Sequence, residues 1–232
     1  MGRMVEQEAL RRGHEITARI DLGTEDNFDS EGFAAADMVI EFSTPKSAPG
    51  NITEALRRGK PVVSGSTGWN SGRWQVEAEC SSEGGRMLVS SNFSLGMNLM
   101  MDLNRRLAAM MSVAGGYEPR LSETHHIHKL DHPSGTAVTL AEDLIAGYAP
   151  KKQWKEAILP DEDTLGVTVV REGEVCGIHE VAWVSDADRI SIRHEAFNRS
   201  GFALGAVVAA EWPAERGPGI YAMEDVMRSL FG

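Results

Sequence analysis

The stretch that decides the fold runs from Met38-Val39-Ile40-Glu41-Phe42 to Pro61-Val62-Val63-Ser64-Gly65-Ser66-Thr67-Gly68. Its first five residues are a short, largely apolar run and read as a strand. Residues 47–58 have helical spacing and stop at Gly59. Residues 61–64 form a second apolar run, followed directly by the Gly65–Gly68 turn. Strand, helix and strand joined by small-residue loops predict a parallel crossover unit. The alternation continues outward on both sides. Residues 4–12 read as a helix, with Met4, Val5, Ala9 and Leu10 apolar, ended by Arg12-Gly13. Residues 14–21 read as a strand closing in Asp21, 70–82 as a helix and 87–90 as a strand. The expectation is an α/β fold with a doubly wound parallel sheet.

The pattern changes after Phe93. A Met- and Leu-rich helix is expected over about 96–112, a strand over 117–126 and a helix over 135–147. Residues 149–163 are rich in proline and charge and read as a loop. Residues 167–171, 179–184 and 189–194 follow as three antiparallel-looking strands, with Trp183 expected on their exposed side. Residues 201–212 return to a helix. These changes place one domain at 1–93 plus 201–232 and a second, α+β domain at 94–200 that carries a mixed or antiparallel sheet.

Composition narrows the function. The chain has 232 residues, 42% hydrophobic and 25% charged, with a formal net charge of −11. That is ordinary for a soluble globular protein, and the acidic balance argues against a nucleic-acid surface. An anionic substrate is still allowed, because a local basic pocket can override the global sign. No apolar run reaches the roughly 20 residues of a membrane span, and charges at Arg3, Glu6, Glu8 and Arg11 argue against a signal peptide. Two distant cysteines, Cys80 and Cys176, fit a reducing cytoplasm.

Candidate chemistry concentrates in Glu123-Thr124-His125-His126-Ile127-His128-Lys129-Leu130-Asp131-His132-Pro133-Ser134-Gly135-Thr136-Ala137, which holds four of the seven histidines. Zinc binding through His125, His126 and His128, or His128 with His132, is one reading. Lys129 opposes it, and no partner stands at a zinc-family spacing. A structural reading explains Ser134 as a helix N-cap but not four histidines beside a lysine. The favoured reading is catalytic, with a proton donor, a fixed cation and a helix N-terminus that can take an anion. Strand alternation puts Glu123 and His125 on one face and His126 on the other, which gives the two histidines different jobs. His14, His179 and His194 read as ordinary strand residues. Met97, Met100, Met101, Met110 and Met111 read as core or subunit contact. Asp21, about 20 residues beyond Gly2, can bond an adenosine ribose; on spacing alone a solvated loop carboxylate is the simpler reading. The Gly65–Gly68 loop, by itself, is equally a plain turn.

The histidine run closely resembles the signature of the dihydrodipicolinate reductases. Ile40–Pro45, Ser64–Trp69, Ser91–Asn98 and Gly219–Val226 are similar to further motifs of that family, in the family's order. The resemblance implies a Rossmann-like sheet and NADH- or NADPH-dependent reduction of a small cyclic dicarboxylate in lysine and diaminopimelate biosynthesis. It also implies that 1–93 plus 201–232 is the dinucleotide-binding domain, and that 94–200 binds substrate and builds a homotetramer. His125 would be the proton donor, Lys129 would stabilise developing negative charge, and His126, Gly135 and Thr136 would bind substrate. Gly2, Asp21, Phe42, Ser43, Gly65, Ser66, Thr67, Ser90, Ser91, Asn92 and Phe93 would hold the cofactor. Leu22 stands where a basic residue would favour a 2′-phosphate, a hint toward NADH. No metal is implied. The chain departs from the family at its start: Gly2-Arg3-Met4 matches the end of a glycine-rich turn, Val5 replaces its last glycine, and the first strand has no counterpart. Two alternative expectations therefore stand: another imino-dicarboxylate reductase, or a catalytically silent, N-terminally truncated homologue that oligomerises.

Overall fold

The computed structural model describes residues 1–158, 161–212 and 216–232. The chain forms two compact units, Met1–Leu95 with Ser200–Gly232, and Gly96–Arg199.

The first unit is built on a four-stranded, all-parallel sheet. Its strands are β1 (Val39–Glu41), β2 (Val62–Ser64), β3 (Arg86–Val89) and β9 (Gly219–Tyr221), in that spatial order. Successive residues point to opposite faces, so each short strand serves two cores. Val63 and Leu88 pack with α1 (Gly2–Arg11), α7 (Ser200–Glu211) and α8 (Met223–Phe231). Val62, Met87 and Val89 pack with α2 (Glu31–Ala35), α3 (Ala48–Arg57) and α4 (Arg73–Ser82). The strands are mostly apolar because helices cover both faces, and Glu41 and Ser64 at their carboxyl ends are buried polar exceptions. Gly59 stops α3 in the left-handed region, at φ +70°.

Residues 14–20 form no strand, against expectation. Their alternation does mark burial, with Ile16 packing against one core and Ala18 against the other. A strand also needs a ladder partner, and among the described residues β1 pairs only with β2. The segment instead packs its backbone on α2, where Thr17 O lies 2.1 Å from the position of a Cβ at Gly32. Helix α2 and strand β9, too short to show a period, were not foreseen.

The second unit holds a mixed five-stranded sheet, covered by α5 (Leu95–Ala114) and α6 (Gly135–Gly147). Its strands are β4 (Glu118–His125), β5 (Gln153–Glu156), β6 (Thr164–Arg171), β7 (Ile178–Val184) and β8 (Arg189–Glu195), in the order β5-β6-β4-β7-β8. The last three strands are therefore not a simple antiparallel succession. β4 lies between β6 and β7, parallel to the first and antiparallel to the second. β5 falls inside the expected loop at 149–163, of which residues 159–160 lie outside the described residues. Trp183 is fully buried rather than exposed, its ring edge-on to Tyr148 at 4.8 Å. Met97, Met100, Met101 and Met111 are core, whereas Met110 is exposed. Among the described residues no helix is long and apolar enough to cross a membrane.

One glycine sets a packing distance. A Cβ at Gly205 of α7 would lie 1.7 Å from the Phe93 carbonyl oxygen. Gly205→Ala must push α7 away from the loop after β3. The expected cost is about 1–3 kcal/mol, seen by calorimetry as a fall in Tm of roughly 2–4 °C per kcal/mol. An unchanged Tm would show that the close approach is not part of the folded state.

Candidate active site

Two groups of expected site residues gather, one in each unit. In the first unit the carboxyl ends of β1, β2 and β3 lie side by side and carry Phe42-Ser43, Gly65-Ser66-Thr67 and Ser90–Phe93. Parallel open sheets bind ligands at this edge. Phe42 lies over Gly65, where a Cβ would come within 2.1 Å of the ring, and meets Phe93 at 5.7 Å between centroids. Glycine is thus required at 65 for the loop to pass the ring.

Glu41, absent from the expected site, organises this edge. Its buried carboxylate accepts from Ser43 N–H (2.8 Å), the Ser43 hydroxyl, Ser64 Oγ (2.6 Å) and Ser66 Oγ (3.0 Å). Ser90 N–H donates to Ser64 O at 3.2 Å, and Ser90 Oγ donates to Asn92 O at 2.9 Å. Ser91 and Thr67 are exposed beside these loops. Gly2 is exposed at the start of α1, and Asp21 lies in an exposed turn, bonding Leu22 N–H at 2.7 Å. Asp21 therefore opens a turn rather than closing a strand. Arg19, the nearby cation, is engaged by Glu6 at 2.6 Å.

In the second unit, inward residues of β4 run Leu121, Glu123, His125, all buried. The apolar core thus passes into a polar cluster along one strand face. Glu123 sits opposite His179 on β7, and His125 opposite Arg171 on β6. Glu123 Oε2 lies 3.3 Å from His125 Nδ1 and 3.5 Å from His179 Nε2. Glu123 Oε1 receives Ser134 N–H at 3.0 Å and Arg171 Nη2 at 3.2 Å. The Ser134 hydroxyl also donates to Oε2. Burial pushes the Glu123 carboxyl up, but the bonds from His125, His179 and Ser134 outweigh it and hold the group well below the usual range. Burial pushes His179 down, against the pull of the Glu123 carboxylate.

The connection from β4 to α6 supplies the remaining candidates. His126, half-buried, follows the last residue of β4, and its ring lies 6.0 Å from that of His128 between centroids. Lys129 Nζ pairs with Asp131 Oδ1 at 2.8 Å. Burial raises the Asp131 carboxyl, but Lys129 outweighs this and, with a bond from the Gly135 backbone, lowers it. Ser134 caps α6 by accepting from Ala137 N–H at 3.1 Å. Gly135 and Thr136 form its first turn, where backbone N–H groups favour an anion.

The histidines do not converge as a metal site in the expected combinations. His128 turns to Glu174 at 3.1 Å and His132 to Glu156 at 2.8 Å. The set with ligand atoms within 4.8 Å of one another is Glu123, His125 and His179, and there Arg171 already supplies a cation. His179 is thus a member of the site cluster, not an ordinary strand residue. A histidine on a buried strand was the available signal for it. Arg171, remote in sequence and placed by the β4–β6 ladder, had none.

The Glu123 geometry gives a pH dependence of stability. The contribution of a carboxylate depressed in the folded state is complete above its ordinary value, 4.5, and is lost as pH falls through the native value. Urea midpoints measured from pH 6 to pH 3 should show wild type and Glu123→Gln converging as acid is added. A constant gap would mean that Glu123 is not held ionised by its neighbours.

Comparison with known proteins gives the family. Residues 1–93 match the family model described as dihydrodipicolinate reductase, N-terminus, and residues 96–227 match the model for its C-terminus. The chain is 42% identical over 233 residues to the 4-hydroxy-tetrahydrodipicolinate reductase of Christiangramia forsetii, covering 100% of this chain and 95% of that protein. It is 40% identical over 204 residues to the enzyme of the same name from Methanopyrus kandleri, covering 85% and 72%. Its fold is similar to that of the dipicolinate-bound dihydrodipicolinate reductase from Paenisporosarcina sp. TG-14, with a TM-score of 0.65 at 22% identity over 80% of this chain and 71% of that one. With both family models matched in order across nearly the whole sequence, the chain belongs to the dihydrodipicolinate reductase family.

Proposed function

We propose that this protein reduces 4-hydroxy-tetrahydrodipicolinate to tetrahydrodipicolinate with NADH or NADPH, the step its relatives are named for, in lysine and diaminopimelate biosynthesis. The observation that carries the reading is the β4–α6 connection. Within one unit it joins a buried histidine, a lysine and a helix N-terminus, in the order of the family signature. Reduction of the conjugated ring needs a hydride at one carbon and a proton at the adjacent electron-rich atom, and water leaves from the hydroxylated position. A bound nicotinamide supplies the hydride from C4. The residues of this chain supply the rest. His125 donates the proton, as a histidine suited to acid catalysis near neutral pH. Lys129 exchanges Asp131 for the substrate and stabilises charge that develops during transfer. Gly135 and Thr136 take one carboxylate at the mouth of α6, and His126, just past the end of β4, contacts the substrate.

The β1–β3 edge suits the cofactor. Phe42 and Gly65 allow a planar ring to approach backbone closely, and Ser43, Ser66, Thr67 and the Ser90–Phe93 loop surround that place. Gly2 and Asp21 would serve the phosphate and ribose ends. The engagement of Arg19 by Glu6 supports NADH over NADPH. A homotetramer is proposed through the five-stranded sheet, where Val170 and Ile190 are exposed. A cytoplasmic setting fits two free cysteines.

The test is calorimetric titration with NADH, repeated with pyridine-2,6-dicarboxylate present, followed by product analysis. Binding of both ligands and formation of tetrahydrodipicolinate are expected; dicarboxylate binding without NADH would favour the silent homologue. His125→Gln should lower kcat by about 10²–10⁴-fold with NADH affinity unchanged, and equal falls in both would remove it as the acid. Lys129→Ala should also spare NADH binding, and unchanged turnover would take it out of the reaction.

A further inference from the structure

Glu123 is 1% exposed and carries no part of the reaction described above. A buried carboxylate is costly unless several donors meet it. Here the donors come from four places around the proposed acid and anion sites. His125 stands on the same strand, Ser134 is the N-cap of α6, Arg171 is on β6 and His179 on β7. Lys129, paired with Asp131, and His194, across from His179 on β8, are the further titratable groups nearby. Arg171 Nη2 donates at once to Glu123 Oε1 and to the Asp131 carbonyl at 2.6 Å. That second bond ties down the loop that carries Lys129.

We infer that Glu123 is a positioning residue for the reduction: it fixes which nitrogen of His125 delivers the proton and holds that donor in register with the mouth of α6. The inference rests on His125 being the acid and deepens that reading. An imidazole has two nitrogens with separate roles, and the partner of one decides the use of the other. Nδ1 of His125 faces the carboxylate at 3.3 Å. Nε2 is on the far edge, beside Gly177, where a Cβ would come within 3.1 Å of it. Nε2 therefore gives the proton. As the Nε2–H bond breaks, its electron pair stays on Nε2 and the new bond forms at the substrate. The ring left behind is the neutral Nδ1–H tautomer, whose N–H lies on the ring edge nearest Glu123. The opposite tautomer would set a nitrogen lone pair against a carboxylate.

Glu123 also accounts for coupling between two parts of the site. Its oxygens receive both the N–H and the hydroxyl of Ser134, the residue that caps α6. A change at this carboxylate is felt at the proton donor and at the anion-binding turn together. A residue that only oriented a ring would leave the turn alone.

The experiment uses the full 232-residue chain. Glu123→Gln keeps the shape, loses the charge and introduces an N–H where an acceptor is needed. We expect kcat to fall about 100-fold, as for a misplaced catalytic group, and pyridine-2,6-dicarboxylate to bind about tenfold more weakly, with the Kd for NADH unchanged. Wild-type turnover in Glu123→Gln, or lost turnover with dicarboxylate binding intact, overturns the inference. A second measurement needs no variant. Long-range ¹H–¹⁵N spectra of the wild-type imidazoles, assigned with His125→Gln, should show neutral His125 protonated at Nδ1; protonation at Nε2 overturns the inference even where Glu123→Gln fails to fold. The parent reading fails differently. His125→Gln that keeps full turnover leaves Glu123 no acid to position, whereas an inactive His125→Gln beside a fully active Glu123→Gln removes Glu123 alone.

Discussion

A carboxylate on the inward face of a central strand has to be neutralised where it stands, and the second unit is arranged around doing so. β4 buries Leu121, Glu123 and His125 in succession on one face. Leu121 needs only apolar neighbours and finds them under α5 and α6. Glu123, two residues on, needs donors. It takes them from both neighbouring strands and from the N-cap of α6. Removing one partner of such a buried set typically costs about 3–5 kcal/mol, because the others are left with an uncompensated charge. The strand order β6-β4-β7 is therefore more than a way to cover the core. It brings Arg171 and His179 to the two sides of one carboxylate.

The first unit uses the same device with different donors. Glu41 ends β1 and is buried. Its partners are serines, Ser43, Ser64 and Ser66, from its own loop and from β2 with the loop after it. No cation is needed there, because hydroxyls and a backbone N–H fill the acceptor positions. The effect on function also differs. At β4 the carboxylate lies beside two imidazole rings, one of them the proposed proton donor. At β1 it pins glycine- and serine-rich loops whose backbone must lie close to a flat ring. In each unit a buried acid on a strand is the anchor for the loops of the candidate site.

That contrast explains what was legible in the sequence. Short apolar runs marked β1, β2 and β3 correctly, because helices cover both faces of the sheet, and Gly59 marked the left-handed stop of α3. Period-two alternation placed Glu123 and His125 on one face, which is the core of the candidate site. What stayed hidden depends on partners far along the chain. Residues 14–20 alternate like a strand, but alternation reports burial and not a ladder. β6 looks like the start of an antiparallel run, and only the insertion of β4 beside it makes it parallel. Trp183 was assigned to a surface by the strand pattern, whereas Tyr148, from the end of α6, covers it. His179 and Arg171 join the site through registers with Glu123 and His125 that no local spacing encodes.

The family signature is itself intelligible on these terms. A histidine pair at a strand end, a lysine in the connection and Ser-Gly-Thr at a helix start are adjacent in sequence because one turn of chain carries them all. Adjacency alone does not hold them in place: the connection between β4 and α6 is polar, and its tip is exposed at Leu130. It is held by bonds at its two ends, Glu123 to Ser134 and Arg171 to the Asp131 carbonyl. Both converge on the carboxylate that lies below His125. The local run thus contains the groups proposed to react, and the non-local ladder contains the groups that hold them. A short motif can name a chemistry from the first set alone, while the geometry that makes that chemistry selective is written in the strand order.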